Sequence, residues 1–168
     1  LGLPLDKKLV LFGAGNLRDE RQGFRFLVEA LRGLNGAELV VFGKNDPEAL
    51  AGLPFPVHNL GVISTERGLM AAYNAADVLV VPSLEDNLPN TIVEALACGT
   101  PVVGFATGGI PEMILPQKTG WLAPPRDSAA LAEGLRWALF AENPEARRAA
   151  ARAFALENYA EALVEEQY

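Results

Sequence analysis

The stretch "DVLVVPSLEDNLPNTIVEALACGTPVV" (77–103) contains the two patterns that decide the fold. It opens with an apolar, β-branched run that is typical of a buried strand, and "PVVGFA" (101–106) is a second run of this kind. The segment between them is predicted to be a helix that begins near Pro89-Asn90, since proline suits the first helical turn. Parallel strands need such a crossover connection, so the stretch indicates a β-α-β unit.

The rest of the chain repeats this alternation of short apolar runs and longer stretches with helical periodicity. "GFRFLVEALRGL" places Phe24, Leu27, Leu31 and Leu34 on one helical face. Alternation with apolar strands predicts an α/β, Rossmann-like three-layer sandwich with a six-stranded parallel sheet. The other four predicted strands are "KLVLFG" (8–13), "AELVVFG" (37–43), "PVHNLG" (56–61) and "GWLAP" (120–124).

Three helix starts are marked by capping residues. Thr65 is a plausible N-cap for the helix before the fourth strand, and Asp127 or Ser128 for the helix after the sixth. Asn143-Pro144 pairs a cap with a first-turn proline and predicts one or two closing helices over 144–168. Residues 1–6 resemble the remnant of a linker.

Composition narrows the classes of function. The 168 residues carry a net charge of -7, which argues against a general nucleic-acid binder. Cys98 is the only cysteine, so an intrachain disulfide and a thiolate metal cluster are excluded, and a packed thiol is expected. His58 is the only histidine and is expected to be structural. No signal peptide or membrane-spanning run is recognisable, so a cytoplasmic location is expected.

Ligands of parallel α/β sheets bind beyond the carboxyl ends of the strands. "GAGNLR" (13–18) follows the first strand and begins like a dinucleotide-binding fingerprint, but Arg18 occupies the third glycine position. Lys44 stands where a ribose-binding acid would end the second strand, so a nicotinamide or flavin cofactor is disfavoured. The glycines are compatible with a simple tight turn or with a phosphate cradle.

Two acids flank the start of the helix near residue 90. Asp86 precedes it and Glu94 lies about one turn inside it, so both can face one cleft. Alternatively, Asp86 caps the helix and Glu94 is solvated near the positive end of the helix dipole. The apolar surroundings of Glu94 favour a more specific role, since unpaired acids are rarely buried. Gly108-Gly109 form a second glycine cluster, which can be a simple turn or a close approach to a ligand.

The sequence "PSLEDNLPNTIVEALACGTPVVGFATGGIPEMI…TGWLAPPRDSAALAEGL" strongly resembles the C-terminal donor-binding domain of family 4 (group 1) retaining glycosyltransferases. This resemblance implies one half of a GT-B fold and covers nearly the whole chain. The family carries an E-x7-E pattern, and here Asp86 and Glu94 give D-x7-E. It implies that Glu94 binds the ribose hydroxyls, that Asp86 meets the donor sugar, and that Gly108-Gly109 lie near the sugar and diphosphate.

The resemblance also extends the predicted donor site beyond the two acids. The loop 59–64 corresponds to the segment with which the family holds the base. The further predicted contacts are Gly15, Arg18, Arg21, Asn59, Leu60, Val62, Leu88, Asn90 and Thr91.

The chain departs from the family where basic residues are expected. Gln22 stands in the place of the usual lysine, and the usual arginine position falls near Asn16–Leu17. Arg18 is the first choice to replace them and Arg21 the second, while either could be a solvated loop residue. Lys44 and Arg25 are weaker candidates. Glu85 could substitute for Asp86, although its spacing to Glu94 is one residue too long.

The resemblance implies that residues 1–168 are the donor domain of a retaining hexosyltransferase, bound to a UDP- or GDP-sugar without a metal. The acceptor domain is absent from this sequence, so the domain alone is expected to bind nucleotide and transfer little sugar. Membrane contact is expected only through an acceptor or the missing domain, at the inner face of the membrane. A non-catalytic nucleotide-binding module and a GT-B nucleotide-sugar epimerase are the alternatives.

Overall fold

The fold is built on six parallel strands. The structure, a computed structural model, describes residues 2–4, 6–85 and 90–166, with the backbone alone for 161–166. The strands are β1 (Lys8–Ala14), β2 (Ala37–Gly43), β3 (Val57–Gly61), β4 (Val78–Val81), β5 (Val102–Phe105) and β6 (Gly120–Ala123). All six predicted strands are confirmed, with ends within two residues of those expected.

The central strands are buried on both faces of the sheet. In β1, Leu9 and Leu11 pack into one apolar cluster, while Val10 and Phe12 pack into the other. Every residue of β4 and β5 is buried, which explains why their sequences are continuous apolar runs without alternation.

Helices cover the two faces and complete the three predicted layers. Helices α1, α2 and α6 pack on one face and α3, α4, α5 and α7 on the other. The predicted stripe of α1 is confirmed, because Phe24, Leu27, Leu31 and Leu34 are all buried. The helices are α1 (Phe24–Arg32), α2 (Pro47–Leu50), α3 (Glu66–Ala75), α4 (Asn90–Ala97), α5 (Ile110–Met113), α6 (Ser128–Leu139) and α7 (Pro144–Glu166).

The predicted caps bind the first turns of their helices. The Thr65 hydroxyl accepts from Gly68 N at the start of α3, and Asp127, not Ser128, caps α6. Asn143 Oδ1 accepts from Ala146 N at the start of α7. The closing segment, predicted as one or two helices, consists of two helices joined at a kink, where Tyr159 is non-helical (φ -130°, ψ 19°).

The order of the strands in the sheet is β3-β2-β1-β4-β5-β6. The chain therefore moves outward from β1 to β3, returns to the centre, and moves outward again on the other side. This is the doubly wound order in which the direction of winding reverses between β1 and β4. Loops leave the carboxyl ends of these two strands in opposite directions, which opens a crevice between them.

Several predictions concern positions away from this crevice. Cys98 is buried at the end of α4, as expected for a packed thiol. His58 Nε2 lies 2.8 Å from Glu38 Oε1, which links β3 at the edge of the sheet to β2. In the part of the chain that is described, no helix is long and apolar enough to cross a bilayer.

Candidate functional site

A cleft of about 440 Å³ lies at the carboxyl ends of β1 and β4. It occupies the point at which the strand order reverses, where ligands of open α/β sheets bind. Residues of both central strands form its floor, and the following loops and the start of α4 form its walls. The lining residues are Phe12, Gly13, Asp19, Arg21, Gln22, Leu79, Val80, Val81, Ser83, Glu85, Asn90 and Thr91.

The loop after β1 is shaped by short-range hydrogen bonds. Asn16 accepts from the backbone of Arg18 and Asp19, and Asp19 caps a 3₁₀ turn over Glu20–Gln22. Gly23 then takes a left-handed conformation (φ 71°) before α1 begins. A Cβ at Gly23 would overlap the carbonyl oxygen of Pro82, so only glycine lets the start of α1 approach the end of β4.

Arg21 lies in the cleft as half of a forked ion pair. Its Nε and Nη2 donate to Asp19 Oδ1 and Oδ2 at 3.1 and 2.9 Å. The hydrogen bond from Arg21 holds the pKa of the Asp19 carboxyl below its usual value, and the same bond raises the pKa of Arg21. Glu85 adds a smaller contribution to Arg21 in the same direction. Among the described lining residues, the one guanidinium is thus accompanied by two carboxylates.

Arg18, which the sequence makes the first candidate for binding phosphate, binds Asp46 outside the cleft lining. Its Nε and Nη2 donate to Asp46 Oδ2 at 3.0 and 2.6 Å, and its side chain is 67% exposed. This bond is the largest cause that lowers the pKa of Asp46, which also caps α2. Arg18 therefore joins the loops after β1 and β2 at the surface, and Arg21 is the arginine that lines the cleft.

Gln22 occupies the place of the expected lysine and binds the glycine loop. Its Oε1 accepts from Gly15 N at 3.1 Å. This backbone amide lies in the segment that the sequence assigns to the phosphates. In this structure the amide of Gly15 is therefore bound by a neutral side chain within the loop.

Helix α4 carries three more of the predicted residues, and the first two of them line the cleft, whereas Glu94 is not among the lining residues. Asn90 and Thr91 form its first turn and line the cavity. Glu94 lies in the following turn, is half-buried, and accepts a hydrogen bond from the hydroxyl of Tyr73 at 2.8 Å. Asp86 and Leu88 lie outside the described residues. Glu85, which the sequence left as a substitute, lines the cleft.

The remaining predicted residues lie at the end of β3 and on the loops that follow β3 and β5. The side-chain amides of Asn59 and Asn45 exchange two hydrogen bonds of 2.9 Å, which join β3 to the loop after β2. Leu60 packs partly against the core, whereas Val62 is 71% exposed. Gly108 has φ 52° and Gly109 caps α5.

Further hydrogen bonds join these loops across the crevice. Thr107 Oγ1 donates to the carbonyl of Ser83 at 2.7 Å, between the loops after β5 and β4. The amide of Leu84 donates to the carbonyl of Arg21 at 2.7 Å, between the loops after β4 and β1. The predicted residues that are described therefore lie in the loops after the strands, at the end of β3 and in the first two turns of α4, and hydrogen bonds join several of these segments.

Three residues of this region were missed at the level of sequence. Asp19 and Ser83 line the cleft, and Tyr73 binds Glu94 from α3. The Asp-x-Arg spacing of Asp19 and Arg21 was available as a signal, since capping acids often precede a helical turn. Tyr73 gave no such signal, because an aromatic residue on a helix usually indicates core packing.

Among the side chains of residues 2–4, 6–85 and 90–160, no group of three or more His, Cys, Asp or Glu residues is placed to hold a metal ion.

Sequence and structure comparisons relate the chain to glycosyltransferases and to a sucrose-phosphate synthase. The family described as "Glycosyl transferases group 1" matches residues 7–140. The D-inositol 3-phosphate glycosyltransferase of Xylanimonas cellulosilytica is 36% identical, over 98% of this chain and 43% of its own length. The sucrose-phosphate synthase (tll1590) of Thermosynechococcus elongatus is 32% identical with a TM-score of 0.70, over 98% of this chain and 46% of that protein.

A more distant structure confirms the fold. Anabaena Alr3699/HepE, solved in complex with UDP, has a TM-score of 0.80 at 23% identity, over 96% of this chain and 47% of that one. The chain therefore spans less than half the length of these relatives. The predicted Rossmann-like architecture, as one half of a GT-B fold, agrees with this similarity.

Proposed function

The chain belongs to the group 1 glycosyltransferases, and from this premise we propose that its cleft binds the nucleotide diphosphate sugar that donates the sugar. The observation that carries the proposal is the position of Arg21. Its guanidinium lines a cleft at the switch point of the sheet, next to the first turn of α4. A cation and the first-turn amides of a helix in one crevice can form a site for phosphate groups.

The size and chemistry of the cleft suit such a ligand. A volume of about 440 Å³ falls within the range of roughly 300–1,000 Å³ that is usual for small-molecule sites. A nucleotide sugar has diols that donate hydrogen bonds and phosphates that accept them. The carboxylates and the cation can therefore bind different parts of one molecule.

In this proposal each group binds one part of the donor. Glu94 accepts from the ribose hydroxyls, and Gly108-Gly109 approach the sugar and diphosphate. Asp86 meets the donor sugar, and Asn59, Leu60 and Val62 lie next to the base. Arg21 exchanges the Asp19 carboxylate for phosphate oxygens when the ligand binds. Because Arg21 is 67% exposed and Asp19 is 25% exposed, neither partner of this pair is a fully buried charge that the exchange would leave without a partner.

The proposed reaction is transfer of a hexose to an acceptor hydroxyl with retention. Negative charge grows on the diphosphate as it leaves, and Arg21 together with the amides of α4 can stabilise this charge without a metal. We propose a UDP- or GDP-sugar as the donor and a second, N-terminal domain as the site of the acceptor. Since the chain spans under half of its relatives, we expect it to bind nucleotide but to transfer little sugar by itself.

Two arginine variants test this proposal. We expect Arg21→Ala to weaken binding of UDP or GDP about tenfold, since a hydrogen bond to a charged group contributes roughly 1.5 kcal/mol or more. Arg18→Ala is the matched control, since Arg18 binds Asp46 at the surface, and it should change the affinity less than twofold. Saturation-transfer NMR would identify the nucleotide, and calorimetric titration would give the affinities. Absence of nucleotide binding, or a larger loss with Arg18→Ala, would contradict the proposal.

A further inference from the structure

Tyr73 lies on α3 and reaches Glu94 on the neighbouring helix α4, one turn after the residues of α4 that line the cleft. The side chain belongs to α3 and is 1% exposed, yet its hydroxyl donates to Glu94 Oε2 at 2.8 Å. The Tyr73 ring packs edge-on against Phe42 of β2, with a centroid distance of 5.9 Å and an angle of 78°. A buried ring held in this way brings its hydroxyl to a fixed position.

The backbone of Tyr73 is anchored as well. Thr100 Oγ1, which is fully buried, donates to the carbonyl of Tyr73 at 2.5 Å. From α7, Arg148 donates to the carbonyls of Ala76 and Asn74 at 3.1 and 3.2 Å, and contacts Thr100 Oγ1 at 3.4 Å. A continuous series of polar contacts therefore runs from the closing helix through Thr100 and Tyr73 to Glu94.

We propose that Tyr73 is a positioning residue, which holds the Glu94 carboxylate in the orientation that binds a ribose diol. This inference rests on the proposed function of the cleft. A carboxylate can accept about four hydrogen bonds, so it can accept the Tyr73 hydroxyl and a diol together. A flexible glutamate loses rotamer freedom when it binds a ligand, and prior orientation by Tyr73 removes part of this loss.

The test separates the diol from the rest of the nucleotide. The probes are UDP and GDP, each compared with its 2′,3′-dideoxy counterpart, and the readout is the ratio of the two affinities. We expect the unmodified protein to prefer the ribonucleotide about tenfold or more, and Glu94→Ala to remove the preference. Tyr73→Phe should reduce it about threefold to tenfold and leave the affinity for the dideoxy compound unchanged.

Two control variants distinguish positioning from general loosening. Ile92→Val removes one buried methylene from α4, the helix of Glu94, and should keep the full preference although it lowers stability. Glu94→Asp keeps the charge but shortens the reach toward Tyr73. This single variant, in which Tyr73 is unchanged, should therefore lose the preference for the ribonucleotide. Adding Tyr73→Phe to Glu94→Asp or Glu94→Ala should change the preference no further.

The outcomes separate this inference from the function on which it rests. If Glu94→Ala removes the preference while Tyr73→Phe keeps it, the role of Tyr73 is overturned and the proposed cleft stands. The role is also overturned if Ile92→Val reduces the preference as much as Tyr73→Phe does. If the unmodified protein binds the ribonucleotide and the dideoxynucleotide equally, the role of Glu94 is wrong and the inference fails with it. If the unmodified protein binds no nucleotide, the proposed function itself fails.

Discussion

The β4 side and the β1 side of the candidate site hold their charged groups in different ways. On the β4 side, Glu94 is half-buried and is bonded to Tyr73, whose ring belongs to the core. On the β1 side, Arg21 is exposed and is bonded to Asp19, two residues away in the same loop. The acid is therefore oriented by the fold, whereas the arginine is oriented by a neighbour that a phosphate can replace. We therefore expect the proposed ribose site to be preorganised and the proposed phosphate site to form on binding.

The largest expected effect comes from disrupting the close contact between Gly23, before α1, and Pro82, after β4. Gly23→Ala would force a left-handed conformation on alanine and bring its Cβ against the Pro82 carbonyl. We expect the free energy of unfolding to fall by about 3 kcal/mol, from roughly 1–2 for the conformation and the rest for the overlap. Urea denaturation gives this value.

Gly36→Ala is the matched control for this contact. Gly36 has φ 82°, but an added Cβ would meet nothing within 4 Å. Its substitution should therefore lower the free energy of unfolding by only about 1 kcal/mol, through the conformation alone. Equal losses in the two variants would mean that close contact with Pro82 is not what holds the β1 loop against β4.

An intermediate effect is expected from changing the weaker, β1 side. Gln22→Lys places a cation where the family pattern has one and removes the acceptor that binds Gly15 N. We expect the affinity for UDP or GDP to rise about threefold to tenfold at low salt, and the gain to shrink at about 0.5 M salt because exposed charges are screened. Calorimetric titration at two salt concentrations measures both.

Gln22→Met distinguishes the effect of the added lysine charge from the effect of freeing the backbone amide of Gly15. It keeps a long side chain but cannot accept from Gly15 in the same way. A gain with Met as large as that with Lys would assign the effect to the Gly15 amide. No gain with either variant would show that this side of the cleft does not contact phosphate.

The smallest expected effect is on the pH dependence of stability and concerns the β4 side. Cys98 directly follows α4, and burial raises the pKa of its thiol. The unfolded chain then releases this proton at a lower pH than the folded protein, so the stability that the buried thiol contributes is lost as pH rises above roughly 8.5. We expect the free energy of unfolding to fall more steeply between pH 7.5 and 9.5 in the unmodified protein than in Cys98→Ala.

Urea denaturation at the two pH values measures this difference. Tyr159, whose pKa is also raised by burial, is present in both proteins and cancels from the comparison. Parallel pH profiles would mean that the thiol titrates alike in the folded and unfolded chains.

The sheet could be predicted from the sequence because each strand is marked locally. Runs such as Val78–Val81 are continuously apolar and rich in β-branched residues. Capping residues mark the starts of helices between the strands and after them, as Thr65 does for α3 and Asp127 for α6. The expectation that a ligand binds at the carboxyl edge follows from the parallel arrangement alone. The reversal of strand order between β1 and β4 could not be predicted, because an alternating pattern of strands and helices is compatible with several orders of strands.

The partners of the charged side chains were beyond the sequence for a different reason. Arg18 and Arg21 lie in an irregular loop, where no period relates side-chain direction to position. Their directions depend on their partners, since Arg18 binds Asp46 on another loop and Arg21 binds Asp19 within its own loop. The bond between Tyr73 and Glu94 joins two helices across 21 residues and arises only when both pack on the same sheet.

The order of strands also has a consequence for how the molecule is made. Leu9 in β1 binds Asp77 at the start of β4, 68 residues later, while β2 and β3 lie between them in the chain. During synthesis, the β3-β2-β1 half can pair first, and β4 must then join an edge that was until then open. Contacts so distant in sequence slow folding, since a long loop must close before they form. We therefore expect the crevice between β1 and β4 to be a late product of folding, created when two halves of the sheet meet.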